Sequence, residues 1–235
     1  MGKVSLCLGL IHNSNTKGLR IIENKIIGLV VIVVLSACSQ DTPTDTNVIS
    51  PNTSAKAIII NGYTLPPMPE KTLNDSTLLG IDSNANGVRD DVERYVIIRF
   101  SKEDFPKTRT ALAMQYAWAN QKVIENPTKE SAKYIDDVLD CQRYWYDQKQ
   151  QTQTQHMYEL HKTNRMEAIK ISAAMAKWEL KYDVYNDDGI NNIVFNTRER
   201  TKQDFAFNGA MSGGFYPGRN QTLENCQVNI DLFGE

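Results

Sequence analysis

Oxygen-bearing side chains fall at alternate positions along one short stretch of this chain: Asp82, Asn84 and Asn86, followed by Gly87 and then by Asp90 and Glu93. Residues 82–93 fit the pattern D-x-[DN]-x-[DN]-G-x5-E at every specified place. The chemistry open to such a stretch is coordination of a hard cation, because carboxylates, carboxamides and carbonyls offer oxygen alone and none of the softer thiolate or imidazole donors. A metal-free alternative stands beside it. Asn86-Gly87 is a turn signal, and Asp90-x-x-Glu93 alone could form a capping box for a following helix. That alternative does not require oxygens at 82 and 84.

The segment Gly80 to Glu93 resembles the calcium loop of EF-hand proteins and the related single loops of dockerins and thrombospondin repeats. The resemblance implies one bound Ca²⁺. Asp82, Asn84 and Asn86 would give side-chain oxygens, Val88 its backbone carbonyl, Asp90 an oxygen directly or through water, and Glu93 both carboxylate oxygens, with Gly87 at the sharp turn. About seven oxygens at flexible distances favour Ca²⁺ over the stricter octahedron of Mg²⁺. Two departures narrow the expectation. Arg89 stands where paired loops carry an apolar residue, and Leu73-Asn74-Asp75-Ser76-Thr77-Leu78-Leu79 is too short and too polar for a full incoming helix. A solitary loop leading into an exiting helix is expected, with an affinity on the order of 10⁻⁵ to 10⁻³ M, the ion acting as a staple that orders residues 80–93 and docks the segment before them.

Upstream, Ile26-Ile27-Gly28-Leu29-Val30-Val31-Ile32-Val33-Val34 closes on Leu35-Ser36-Ala37-Cys38, which resembles the lipobox of bacterial lipoprotein signal peptides. An apolar run of about twelve residues suits a signal core, whereas a membrane-spanning helix needs roughly 20. The resemblance implies removal of residues 1–37 and lipidation of Cys38, hence a membrane anchor. Ser39 after the lipidated cysteine, in place of Asp, implies by the same resemblance the outer membrane, with the protein facing the periplasm or the cell surface. Residues 38–55, rich in Ser, Thr, Asn, Asp and Pro, cannot bury enough apolar surface to fold and read as a flexible tether.

The full chain carries 26 basic and 28 acidic side chains, and loss of Lys3, Lys17, Arg20, Lys25 and Glu23 with the leader leaves 22 and 27, a net charge of −5. Such a surface argues against nucleic acid as a partner, which needs clustered Lys and Arg to neutralise phosphates. Of the four cysteines, Cys7 leaves with the leader and Cys38 carries the lipid. Cys141 and Cys226 remain, and in an oxidising compartment they are expected to pair, worth about 4 to 5 kcal/mol on the chain-entropy account. The alternative is two free buried thiols.

These features must be positioned by a mainly α-helical domain of about five helices over 80–235, preceded by an extended arm over 56–79. In the arm, the β-branched run Ala57-Ile58-Ile59-Ile60 ends at the turn Asn61-Gly62, and Pro66, Pro67 and Pro69 forbid a helix or a central strand. Helical spacing then begins: Val92, Tyr95, Val96 and Phe100; Leu112, Tyr116, Ala119 and Val123 after a break at Phe105-Pro106; Tyr134, Val138, Cys141 and Trp145; and Met157, Leu160, Asn164, Ala168, Ile171, Met175 and Trp178. The last two stripes predict two helices side by side, with Gln148 to Gln155 a polar helix continuation or a loop. A final helix is expected from the Asn196-Thr197-Arg198-Glu199 cap to Gly213-Gly214. Tyr182 to Gly189 reads as a helix-ending turn, since Val184 stands where a first metal ligand would be needed.

Enzyme signatures are weak. His156 and His161 are five apart and do not share a helical face, and Ser212-Gly213-Gly214 lacks the strand-turn-helix context of a nucleophile elbow. The functional expectation is a non-catalytic calcium-binding lipoprotein of the bacterial envelope with an envelope protein or the cell wall as partner. The alternative is a cell-wall or polysaccharide hydrolase whose acidic pair the sequence does not pick out.

Overall fold

Helix formation starts in earnest where the oxygen-rich stretch ends. In the computed structural model, which describes residues 56–214 and 218–235, helix α2 runs Asp90–Phe100 and follows a single turn, α1, at Lys71–Ser76. The others are α3 (Pro106–Glu125), α4 (Ala132–Thr163), α5 (Arg165–Tyr182), α6 (Asp188–Val194) and α7 (Arg198–Met211). The mainly helical expectation holds, with the five long helices joined by the short α1 and α6. The described residues belong to one compact unit, Thr53–Glu235. Residues 1–55 lie outside the described residues, and with them the expected leader, the expected lipidation at Cys38 and the expected tether. Among the described residues no helix is long and apolar enough to cross a membrane.

Helix α3 is the axis of the core. The sequence stripe on it was Leu112, Tyr116, Ala119 and Val123, but it is buried nearly all round, including Thr108, Arg109, Gln115, Asn120 and Gln121. Small Ala and Thr residues let neighbours approach from every side, and helix α3 packs against α2, α4, α6 and α7. It begins after Phe105, whose left-handed backbone (φ 54°) ends the preceding turn, with Pro106 in the first helical turn, where its missing N–H costs nothing. Phe105 is unable to cap. The carboxylate of Glu235 does so instead, accepting from the Lys107 and Thr108 amides at 3.2 and 2.9 Å.

Helices α4 and α5 form an antiparallel hairpin: Trp145 meets Trp178 with ring centroids 5.3 Å apart, and Arg143 pairs with Glu179 at 2.8 Å. The polar run at 148–155 continues α4, and beyond it the hairpin stands largely in solvent, with only Ala168 buried between 151 and 181. The stripe from Met157 to Trp178 is not one helix. Asn164 ends α4 (φ −141°, ψ 80°) and accepts from the Glu167 amide to start α5, so a side chain at a stripe position is the turn itself. Cys141 and Cys226 are bonded over a separation of 85 residues, which ties α4 to the C-terminal segment.

The arm is fastened along its length. Strands β1 (Ile59–Ile60) and β2 (Tyr63–Thr64) make a minimal antiparallel hairpin. Asn61 donates to the Ser101 carbonyl at 3.0 Å, Tyr63 to the Lys107 carbonyl at 3.3 Å, and Arg94 to the Pro66 carbonyl. The N-terminal cap of α7 is the expected one, with Thr197 accepting from the Arg200 amide, and the helix ends at Met211.

Candidate metal centre

The segment between α1 and α2, together with the first turn of α2, closes residues 80–93 into one loop. Its ends are held together by the Asp90 amide, which donates to the Ile81 carbonyl at 2.8 Å, and by Asn74 of α1, whose Oδ1 accepts from the Ile81 amide at 2.9 Å. The curl requires left-handed backbone at Ala85 (φ 55°) and Gly87 (φ 84°). At Gly87 a Cβ would stand 2.8 Å from the Trp118 ring, so glycine answers both to the dihedral and to the close approach of α3.

Inside the curl the side chains meet. Asp82 accepts from the Asn86 amide through Oδ1 at 3.2 Å and from the Gly87 amide through Oδ2 at 2.7 Å. Asn84 and Asn86 both donate through Nδ2 to Glu93 Oε2, at 3.0 and 2.9 Å, while Asn86 Oδ1 accepts from the Val88 amide at 2.8 Å. Asp90 Oδ1 accepts from the Ser83 amide at 2.9 Å. Val88 packs its side chain into the core. All six sequence-predicted positions thus belong to one closed loop, and Asp82, Asn84, Asn86 and Glu93 are linked through direct hydrogen bonds.

Two features of this cluster are energetically unfavourable as it stands. Asp90 is fully buried, and its Oδ2 has no hydrogen-bond partner; a carboxylate oxygen in that state costs several kcal/mol unless something positive meets it, by the general penalty of about 1–3 kcal/mol for a neutral group and more for a charged one. Glu93 is only 5 % exposed. Burial pushes its carboxyl above the usual range, the amides of Asn84 and Asn86 pull it back, and the charges of Asp90 and Asp82 push it up again. Of the four acidic side chains of the loop, Asp91 pairs with Arg89, while Asp82, Asp90 and Glu93 have no ion-pair partner among the described residues.

The capping-box alternative does not survive. The N-cap of α2 is Arg89, which makes no side-chain cap, and Asp90 is already helical, its carboxylate turned back to Ser83. The Asn86-Gly87 turn is present, but it uses the oxygens of Asp82 and Asn84 as acceptors.

Among the described residues no group of three or more His, Cys, Asp or Glu side chains is arranged to hold a metal ion by itself. A cation here would draw on the carboxamides and a carbonyl as well. No protein-family model matches the chain, and no curated protein or solved structure does. The reading of the loop therefore rests on its own geometry.

Sequence reasoning missed the residues that hold the loop in place. Arg89, wholly buried, donates to both carboxylate oxygens of Asp91 and to the carbonyls of Ile193 and Val194 at the end of α6. Arg200 of α7, equally buried, donates to the carbonyls of Asn74, Thr77 and Leu78 and to Asp75, closing the C-terminal end of α1. Only the departure at Arg89 from the apolar residue of paired loops gave a signal.

The expected alternative of an acidic pair has its best setting in a groove of about 500 Å³ between α4 and α5, lined by Asp140, Glu179 and Asp183. Each is engaged. Glu179 pairs with Arg143, Asp140 lies 3.5 Å from Arg219, and Asp183 accepts from Gln142, Tyr185 and Asn186.

Proposed function

We propose that this protein is a calcium-binding lipoprotein of the bacterial envelope with a structural or binding role, anchored through Cys38 in the outer membrane and facing the periplasm or the cell surface. The observation that carries the calcium reading is the unpartnered, fully buried Oδ2 of Asp90 within a loop already crowded by Asp82 and Glu93. A divalent cation would satisfy that oxygen and relieve the mutual repulsion of three carboxylates. Asn84 and Asn86 would turn their carboxamide oxygens inward in place of the N–H groups now given to Glu93, and the Val88 carbonyl would complete an all-oxygen shell. Such a shell suits Ca²⁺.

The ion would act as a staple. Gly80 to Glu93 is tied to α1 through Asn74 and to α6 through its own Arg89; fixing the loop fixes both attachments. The pairing of Glu179 with Arg143 and of Asp183 with amide donors supports binding over hydrolysis as the role of the domain. The partner would be an envelope protein or the cell wall.

Calorimetric titration of the full chain with CaCl₂ tests this. One ion per chain is expected, with a Kd on the order of 10⁻⁵ to 10⁻³ M, abolished in Asp90→Ala and much weaker for Mg²⁺. Absence of heat at millimolar Ca²⁺ would refute the calcium reading. Membrane fractionation of Cys38→Ala tests the anchor separately: release into the soluble fraction is expected, and unchanged outer-membrane association would refute it.

A further inference from the structure

Where α3, α6 and α7 meet the turn between α5 and α6, a cleft of about 260 Å³ opens. Its polar wall is built of carboxamides. Tyr116 donates to Asn191 Oδ1 at 2.7 Å, which fixes that carboxamide and leaves its Nδ2 without a partner among the described residues. Asn120, buried on α3, donates to the Tyr116 carbonyl at 2.9 Å and also lies against the Tyr116 phenol, so it braces that side chain. Asn208 donates to Asp204 Oδ1 at 3.0 Å, which leaves Oδ2 of Asp204 and Oδ1 of Asn208. Asn191, Asp204 and Asn208 are thus each held by one bond and offer another.

The remaining wall is aromatic. Tyr185 lies against Tyr116 with centroids 5.4 Å apart, and Phe207 joins them from α7. No Lys, Arg or His is among the described residues lining the cleft, and Asp204 is its one carboxylate. A charged ligand would find no opposite charge of its own kind to meet, apart from that single acid. Oriented carboxamides with spare donors and acceptors match hydroxyl groups, which both donate and accept, while aromatic faces match the C–H face of a ring.

We propose that this cleft binds a neutral saccharide, one pyranose-sized ring resting on Tyr185 and Phe207 with its hydroxyls meeting Asn191 Nδ2, Asn208 Oδ1 and Asp204 Oδ2. With one carboxylate present the cleft holds the sugar without cleaving it, since glycoside hydrolysis by the usual route takes a pair. This deepens the binding role proposed above by naming a ligand class, and it uses no residue of the calcium loop.

The test is saturation-transfer NMR on the full chain in detergent with glucose, galactose, mannose and N-acetylglucosamine, each at about 10 mM, a level that fills a site whose Kd is about 1 mM. Transfer to ring protons of at least one sugar is expected, with affinity falling about tenfold in Tyr185→Ala, the loss of about 1.4 kcal/mol, and by a smaller factor in Asn208→Ala. Both positions are solvent-facing, so the variants are expected to melt as the parent does. No transfer from any of the four sugars, or transfer unchanged in both variants, would overturn the proposal. Sugar binding that persists while calcium titration fails would remove the calcium reading alone, and the reverse would remove this one alone.

Discussion

Arg89 donates to the carbonyl of Val194 at 3.2 Å, so the eighth residue of the oxygen-rich loop closes the end of α6, more than a hundred residues away in the chain. Its guanidinium has no exposed surface and spends its remaining donors on Asp91 and Ile193. Replacement by an apolar chain of similar length leaves those carbonyls without their donor and the Asp91 carboxylate with only the Val92 amide and Asn196. Arg89→Met is expected to cost about 2–4 kcal/mol, read as a lower urea midpoint at unchanged slope. A midpoint within error of the parent would show that the clamp carries no stability.

The bond between Cys141 and Cys226 closes 85 residues and holds the C-terminal segment against α4. Its removal in the Cys141→Ser/Cys226→Ser pair is expected to cost about 4 to 5 kcal/mol, the chain-entropy value for a loop of this size. Differential scanning calorimetry of the double variant against the oxidised parent checks it, and a drop in Tm under about 3 °C would contradict the expectation.

Glu235 caps α3 from the far end of the chain. A carboxylate at a helix N-terminus accepts orphan amides and meets the positive end of the helix dipole. Glu235→Ala is therefore expected to lose about 0.5–2 kcal/mol, and hydrogen exchange of the amides of Lys107 and Thr108 should accelerate more than that of the α4–α5 hairpin. Equal acceleration in both places would argue against a local cap.

Tyr63 reports on the docking of the arm. Burial, with a smaller push from the charge of Glu235, raises its phenol from 10.0 to about 12. The folded state therefore holds the proton more tightly than the unfolded one. The stabilisation is fully present below about pH 10 and is lost as pH rises towards 12. Tyr63→Phe should lessen the fall of stability across that window in chemical-denaturation series, and an unchanged slope would mean that the arm leaves this ring in water.

Much of this architecture was legible because it depends on neighbours in sequence. Phe105-Pro106 and Thr197 marked helix starts through local backbone chemistry, the spacing of Val92, Val96 and Phe100 marked a buried face, and the pattern from Asp82 to Glu93 brought its oxygens together within one loop. What was illegible depends on distant partners or on residues whose usual setting misleads. Arg89 stood out only as a departure from the apolar residue of paired loops and Arg200 gave no signal, yet both are buried against backbone carbonyls at helix ends. Asn164 sat on an apolar stripe and turned out to be the hinge between α4 and α5, because one carboxamide can end one helix and cap the next. Asn120, Asn191 and Asn208 are scattered singly along three helices, and only their convergence makes a cleft. Asp90 read as a possible cap, but the helix had already begun.

The central claim is that a cation completes the loop around Asp90 and Glu93. The most direct test is thermal unfolding of the full chain in EDTA and in about 10 mM CaCl₂, for the parent and for Glu93→Gln. An ion that binds only the folded form at about 100 times its Kd adds about 2.7 kcal/mol, a rise in Tm of about 5–10 °C for a domain of this size, and the rise should vanish in Glu93→Gln. An identical Tm in EDTA and CaCl₂, or an equal rise in the variant, would contradict the account.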